Sequence, residues 1–180
     1  MANLKTYIHS LRQSRIWHRY LGLFLALLLL ISSITGILLA LKKDVTIIQP
    51  PTQRGISKSL EDWKSIAELS QLAASAFYTQ YPDEINNKVK RIDVRPSKGI
   101  AKVLFDEGYW EVQIDGSTGE IRSIAKRHSD WIEALHDGSI VSDVFKLISM
   151  NTLGFGVLLM IATGTWLYFG PKKVREMKRR

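Results

Sequence analysis

Two long uninterrupted apolar stretches dominate the pattern of hydrophobic and polar positions along the chain. The first runs from Leu21 to Leu41, which is 21 residues without a charged side chain, and the second runs from Leu147 to Gly170, which is 24 residues. As helices that rise about 1.5 Å per residue, both are long enough to cross a hydrocarbon core of about 30 Å. The pattern therefore predicts two transmembrane helices.

The first stretch could instead be a cleaved signal peptide, because such peptides also begin with cations followed by an apolar core. Its length exceeds the usual core of about 7–15 residues, and the sequence GILLALKKD that ends it offers no pair of small residues for cleavage. We therefore expect the first helix to be retained.

Between the two stretches the pattern changes to that of a small α+β domain. Residues 60–81 have apolar side chains near helical spacing, with Ser59 as a candidate N-cap and Pro82 closing the helix. Four short runs of alternating apolar and polar residues follow, separated by glycine-containing turns. They predict a four-stranded antiparallel meander with one apolar face packed on the helix and one wet face.

The predicted fold class is membrane α+β, in which two transmembrane helices flank this small domain. Its segments are a cytoplasmic N-terminal segment, the first transmembrane helix, a linker, the α+β domain, an interfacial connector, the second transmembrane helix and a basic cytoplasmic tail. Their predicted bounds are 1–19, 20–41, 42–58, 59–127, 128–146, 147–170 and 171–180, in that order.

The net charge of +8 is concentrated at the two ends of the chain. Residues 1–20 carry +4 and residues 171–180 carry +5, whereas the segment between them has 15 bases and 16 acids. This distribution argues against a nucleic-acid-binding face. Cations beside both apolar stretches instead predict that both termini are cytoplasmic and, in a bacterial inner membrane, that the central domain is periplasmic.

The end of the third strand and the two flanking helices resemble a known family. The sequence YWEVQIDGSTGEI contains Asp115, Thr118, Gly119 and Glu120 in the arrangement of a PepSY domain. The flanking helices resemble the PepSY-associated transmembrane helix family, with a histidine leading the first helix, a later histidine-x-glycine at residues 136–138, and the pairs Thr35-Gly36 and Thr163-Gly164.

The resemblance implies three alternative roles. PepSY domains occur in protease propeptides and have been proposed as peptidase inhibitors, whereas larger four-helix relatives resemble ferric-siderophore reductases that carry b-type haem. Small two-helix members are mostly uncharacterised. This chain has half as many helices as the reductases, so autonomous electron transfer across the membrane is not implied.

Two of the four histidines, His18 and His136, are candidate haem ligands. They lie at opposite ends of the predicted membrane segments, so one chain cannot clamp one iron between them, but a homodimer could bring two copies of each together. The alternative for His18 is an interfacial anchor, and the alternative for His136 is a helix cap or surface residue. Candidate anchors at the cytoplasmic interface are the aromatic residues Trp17, Tyr20, Trp166 and Tyr168.

Small residues in both apolar stretches allow close helix approach, either within one chain or between copies. These candidate helix-packing residues are Ser32, Gly36, Gly154, Gly156 and Gly164.

No catalytic residue and no metal site is predicted. The chain has no cysteine, no His-Glu-x-x-His, no phosphate loop and no nucleophile elbow. The sequence therefore favours a non-catalytic accessory or interaction subunit with the lipid bilayer, other membrane proteins or a second copy as partners. The alternatives are a b-haem electron-transfer or reductase subunit linked to iron-siderophore uptake, and a periplasmic peptidase inhibitor.

Overall fold

A computed structural model describes residues 2–86 and 88–179 of the chain. The chain divides into two compact units, Met1–Ile37 with Glu133–Arg180, and Leu38–Ile132. The elements in chain order are α1 (Ala2–Ala40), α2 (Ile66–Gln80), β1 (Val89–Arg95), β2 (Ile100–Phe105), β3 (Trp110–Asp115), β4 (Ile121–Lys126), α3 (Ser129–Asp137) and α4 (Asp143–Arg179).

The first unit is built on α1 and α4, which both extend well beyond the predicted membrane segments. Helix α1 has 39 residues and passes through position 19 without a break, and α4 has 37 residues and continues past Pro171. Only 11% of the most apolar window of each helix is buried. Both helices therefore expose apolar sides that are long enough to face lipid rather than a protein core.

Helices α1 and α4 pack closely because glycine lets their backbones approach. A Cβ atom at Gly156 would lie 2.6 Å from Leu25, and one at Gly170 would lie 2.2 Å from Leu11. Near the middle of the contact, a Cβ atom at Gly22 would lie 3.1 Å from the end of Met160. These contacts set an antiparallel register in which residue numbers rise along α1 as they fall along α4.

The second unit contains the predicted meander, with strand order β1-β2-β3-β4 and every neighbouring pair antiparallel. One face of the sheet packs on α2, as the alternation predicts. The core residues are Leu69, Ala73 and Phe77 of α2 with Ala101, Val103, Phe105, Trp110, Val112 and Ile114 of the sheet. The predicted fold class, long apolar helices flanking one helix packed on a four-stranded sheet, is confirmed.

The start of α2 differs from the prediction. Residues 60–62 form a separate 3-10 turn, Ser59 makes no side-chain cap, and the N-cap is Ser65, whose hydroxyl accepts from the Glu68 backbone N–H. The break arises because Trp63 is extended and packs against the backbone of Gly116, where a Cβ atom would lie 2.1 Å from the indole ring. Packing on the β3–β4 turn therefore overrides the helical pattern at this point.

The second face of the sheet was predicted to be wet, and that prediction was wrong. Lys102, Glu111 and Gln113 point from it but are almost fully buried. Residues 48–56, named the strap here, cover part of this face, with the Gln113 side chain accepting from Gln53 N–H at 2.8 Å and donating to Pro51 C=O at 3.1 Å. Polar residues alternate here because they bond to each other and to the strap, not to water.

Candidate functional site

His136 is held at the end of α3 by a hydrogen bond to α1. Its Nδ1 lies 2.9 Å from Thr35 Oγ1, and the same hydroxyl donates to the Ile31 carbonyl at 2.6 Å. A hydroxyl has one proton to donate, so the histidine ring must supply the other, from Nδ1–H to Thr35 Oγ1. A neutral His136 therefore keeps its Nε2 lone pair available for a ligand.

His18 of α1 makes the same kind of hydrogen bond to a threonine of α4. Its Nδ1 lies 2.8 Å from Thr163 Oγ1 on α4, and that hydroxyl donates to the Leu159 carbonyl at 2.7 Å. The same count of protons places the donor hydrogen on His18 Nδ1 and leaves Nε2 as an acceptor. Neither His18 Nε2 nor His136 Nε2 has a protein partner among the described residues.

Each imidazole also lies beside the glycine that follows its threonine. A Cβ atom at Gly36 would be 3.5 Å from Cε1 of His136, and one at Gly164 would be 3.3 Å from Cε1 of His18. The first spacing is an ordinary contact and the second is tight, so the glycine matters more at His18. The same contact therefore occurs twice. Thr35 and Gly36 of α1 contact His136, and Thr163 and Gly164 of α4 contact His18.

The two imidazoles lie far apart along the helix pair. His136 contacts Thr35, which is 17 residues beyond His18 on the same helix. At 1.5 Å per residue this corresponds to about 26 Å along α1. Two histidine nitrogens that bind one iron lie only about 4 Å apart, so His18 and His136 of one chain cannot bind the same iron.

A cavity of about 230 Å³ adjoins His136 inside the first unit. Its walls are mainly apolar, with Ser32, His136 and Ser149 as the polar side chains on the lining. The apolar lining residues are Leu28, Ile31, Leu135, Ile140, Val141, Phe145, Met150 and Leu153. Because a cavity of roughly 150 Å³ accommodates one benzene ring, this space suits part of a flat aromatic group.

An ion pair fixes the segment between α3 and α4 that lines this cavity. Asp137 pairs with Lys146 and accepts from Ser139 N–H at 2.9 Å. Burial alone raises the pKa of Asp137, but the bonds from Lys146 and Ser139 outweigh it and lower the pKa to about 2. Asp137 is therefore ionised at neutral pH, and the loop is tied to the first turn of α4.

Asp115, the first residue of the PepSY-like motif, forms hydrogen bonds to several segments of the sheet domain. Its fully buried carboxylate accepts from the backbone N–H groups of Ile56, Ser117 and Thr118 and from Arg122 at 2.9 Å. Burial alone would raise the pKa of Asp115, yet these hydrogen bonds hold it well below its usual range. The motif thus joins the strap, the β3–β4 turn and β4, which suits stability and not catalysis.

The predicted packing residues fall into different places. Gly36, Gly156 and Gly164 lie at contacts within the first unit, and Ser32 lines the cavity. A Cβ atom at Gly154 would meet none of the described residues within 4 Å, so a packing role for Gly154 stays a prediction. Helical geometry explains the difference from Gly156, since positions 154 and 156 point about 200° apart.

The predicted aromatic anchors are mostly exposed. Trp17, Tyr20 and Tyr168 expose more than half of their surface, whereas Trp166 is 37% exposed because it stacks on Tyr7 at 5.0 Å between ring centroids. Their contact with a membrane interface stays a prediction.

Sequence reasoning missed the roles of Thr35 and Thr163 as hydrogen-bond partners of the histidines. The signal was present, because each apolar stretch contains one Thr-Gly pair and the segment before each stretch contains two histidines. It could not be used without knowing how α3 and α4 pack against α1, which decides which threonine meets which ring. The cavity was missed for the same reason.

Comparison with known families finds a match over residues 15–180 to the model described as the PepSY-associated TM region. A comparison with curated proteins finds no significant match. The matched range includes α1 from residue 15 onwards, all of α4 and the whole sheet. Together with the exposed apolar helices described above, the match makes this a membrane protein, and the chain belongs to the PepSY-associated TM region family.

Proposed function

We propose that the protein is a b-haem electron-transfer subunit that functions as a symmetric pair of copies. His18 would hold one haem together with His18 of the second copy, and His136 would hold another together with His136 of the second copy. The observation that carries the proposal is that both imidazoles contact a threonine hydroxyl through Nδ1 and leave Nε2 unpartnered among the described residues. Metal-binding histidines are usually oriented in this way by a second hydrogen bond.

The residues of the chain fit a haem only as half-sites. Each site has one imidazole, and the two imidazoles are too far apart to share one iron. The cavity beside His136 is apolar, as a porphyrin requires, but at about 230 Å³ it is smaller than the four-ring macrocycle. A second copy would therefore complete both the ligand pair and the enclosure.

The roles of the protein's own groups follow from this geometry. Thr35 and Thr163 fix the orientation and tautomer of the two rings. The mainly apolar lining beside His136 would offer a nonpolar contact surface to the bound group. A bound haem would supply one-electron redox chemistry, which no described cluster of side chains in the chain supplies itself.

We propose that both termini are cytoplasmic, in a bacterial inner membrane, with the sheet domain on the other side. The support is the concentration of cations at the two ends of the chain, +4 in residues 1–20 and +5 in residues 171–180. In this orientation His18 lies towards the cytoplasm and His136 lies towards the periplasm.

The test is the visible spectrum of the full chain, expressed with ample haem and purified in mild detergent. We expect a Soret band with sharp α and β bands after dithionite reduction, and about one haem per chain. His18→Ala and His136→Ala should each remove about half of the haem. His9→Ala is the matched control, because His9 is exposed and lies on the same helix as His18.

The oligomeric state decides between this proposal and a non-catalytic accessory subunit. Light scattering of the detergent complex should give a dimer that retains haem. A colourless protein that is folded and dimeric would contradict haem binding and favour the accessory role. A coloured monomer with one haem would contradict the shared ligand pair.

A further inference from the structure

A stripe of unpaired cations follows one face of α1. Lys5, Arg12, Arg15 and Arg19 lie at spacings of seven, three and four residues, which places them within about 80° of one another around the helix. All four side chains are exposed. None forms an ion pair within the described chain, and the first acidic residue of the sequence is Asp44.

The register of α1 against α4 places Arg12 and Arg15, with Arg19 one residue further on, at the level of the aromatic end of the second apolar stretch. His18 bonds to Thr163, and Leu11 packs on Gly170, so residues 11–18 of α1 lie level with residues 163–170 of α4. That part of α4 contains Trp166 and Tyr168. Tryptophan and tyrosine concentrate at the depth of lipid headgroups.

The surface around the stripe has the same interfacial character. The Arg19 guanidinium lies 5.2 Å over the ring of Tyr20, which is 57% exposed. Trp17, at the same depth but on the far side of α1 from the stripe, is 68% exposed. Exposed aromatic rings beside long cationic side chains suit a boundary between acyl chains and phosphates. If this face contacted only water, the exposed aromatic rings would contribute no favourable apolar contact.

From these observations we infer that the stripe of Lys5, Arg12, Arg15 and Arg19 is a binding surface for anionic phospholipid headgroups. Charge and depth both indicate this ligand. Several unpaired cations lie at the level of the lipid headgroups, where the phosphates of lipids with a net negative charge can bind them. Each cation near an anionic surface strengthens association roughly fivefold, and the gain falls with ionic strength. The inference does not depend on haem.

The test uses native mass spectrometry of the full chain in neutral detergent, titrated with phosphatidylglycerol or phosphatidylcholine. We expect the wild-type protein to retain phosphatidylglycerol at least tenfold more strongly. The triple variant Arg12→Gln/Arg15→Gln/Arg19→Gln should reduce the preference to within twofold. The matched control Lys58→Gln/Lys90→Gln/Lys98→Gln removes three exposed cations of the sheet domain and should keep it.

A second variant separates charge from folding. Replacing the same three arginines by lysine keeps the charge, so the preference should persist within about threefold and should weaken as salt rises to 1 M. Equal retention of the two lipids by the wild-type protein would overturn the inference and leave an acidic protein segment as the ligand class that suits the stripe. A glutamine variant that is folded and still prefers phosphatidylglycerol would also overturn it.

Discussion

The two units of the molecule differ in how completely the protein itself supplies hydrogen-bond partners to two carboxylates in one unit and two histidines in the other. In the sheet domain, Glu111 accepts from Lys102, Gln113 and Arg127, and Asp115 accepts from three backbone N–H groups and Arg122. In the helix pair, the half-buried His18 and His136 use one ring nitrogen each and leave the other without a partner in the described chain. In the first pattern both oxygens of Glu111 and of Asp115 have partners, whereas in the second pattern Nε2 of each histidine has no partner among the described residues.

This difference separates stability from binding. A buried group with all of its partners in the protein has nothing left to offer a ligand, so Glu111 and Asp115 explain why the domain folds. An imidazole that is held by a hydrogen bond at one ring nitrogen and has no protein partner at the other can still bind a ligand through that second nitrogen. The comparison therefore directs the search for function to the helix pair.

The largest expected effect comes from removing a carboxylate in the satisfied region. Glu111→Ala would leave the buried Lys102 ammonium without its acidic partner and remove one partner of Arg127. We expect unfolding of the sheet domain to become easier by about 3–5 kcal/mol, because uncompensated buried charge is costly. Urea titration of the full chain, followed by tryptophan fluorescence, measures the change.

The control is Glu61→Gln, which alters an exposed carboxylate in the same domain. It should change stability by less than about 0.5 kcal/mol. If Glu111→Ala were as mild as this control, the buried network would not be a source of stability, and the contrast between the units would disappear.

The next effect concerns Asp115 and pH. Asp115→Asn removes charge-assisted hydrogen bonds and should cost about 2 kcal/mol at neutral pH. The folded-state pKa of Asp115 lies well below its unfolded value of about 3.9, so the unfolded chain takes up the proton first. The stabilisation is thus complete above about pH 5 and is lost as the pH falls through 3.9 towards the folded pKa.

Urea titrations between pH 6 and pH 2.5 test this sign. The wild-type domain should lose more stability over this interval than Asp115→Asn does. Asp83→Asn, which changes an exposed carboxylate, should follow the wild-type curve. Parallel curves for the wild type and Asp115→Asn would contradict the low pKa.

Local patterns allowed most of the sheet domain to be predicted, because strands, turns and an apolar face are encoded within a few residues. The alternation of Val103 and Phe105 on β2 identified the core side directly. The burial of Lys102 on the opposite side could not be predicted, since it depends on the strap returning over the sheet. Likewise, Thr35 and His136 are 101 residues apart, and only the packing of distant segments joins them.

The third prediction tests the packing that brings the histidines to their threonines. Gly156→Val should weaken the α1–α4 contact by about 1–3 kcal/mol, because a Cβ atom there would already lie 2.6 Å from Leu25. Gly154→Val introduces the same side chain two residues away, where a Cβ atom would meet no described residue within 4 Å outside its own helical turn. Unfolding by sodium dodecyl sulfate, followed by circular dichroism, should shift for the first variant and not for the second.

The smallest expected change in stability comes from removing the hydrogen bond between Thr35 and His136, which is also a contact on which the proposed function depends. Thr35→Val removes the acceptor of His136 Nδ1–H and should cost only about 0.6 kcal/mol, a typical value for a hydrogen bond between membrane helices. The effect on the ring should be clear even so, because without Thr35 nothing at Nδ1 selects one tautomer. In ¹⁵N spectra of the haem-free protein at a pH where the ring is neutral, His136 should change from Nδ1–H to a mixture.

Thr35→Ser is the matched control, since it keeps the hydroxyl and should keep the Nδ1–H signal. Thr163→Val should act on His18 in the same way and leave His136 unchanged, because the two pairs lie about 26 Å apart. A wild-type spectrum with the proton on Nε2 would mean that the threonine donates and that Nε2 is not free. A weak bond can thus decide which atom of each histidine faces a ligand while contributing almost nothing to the stability of the fold.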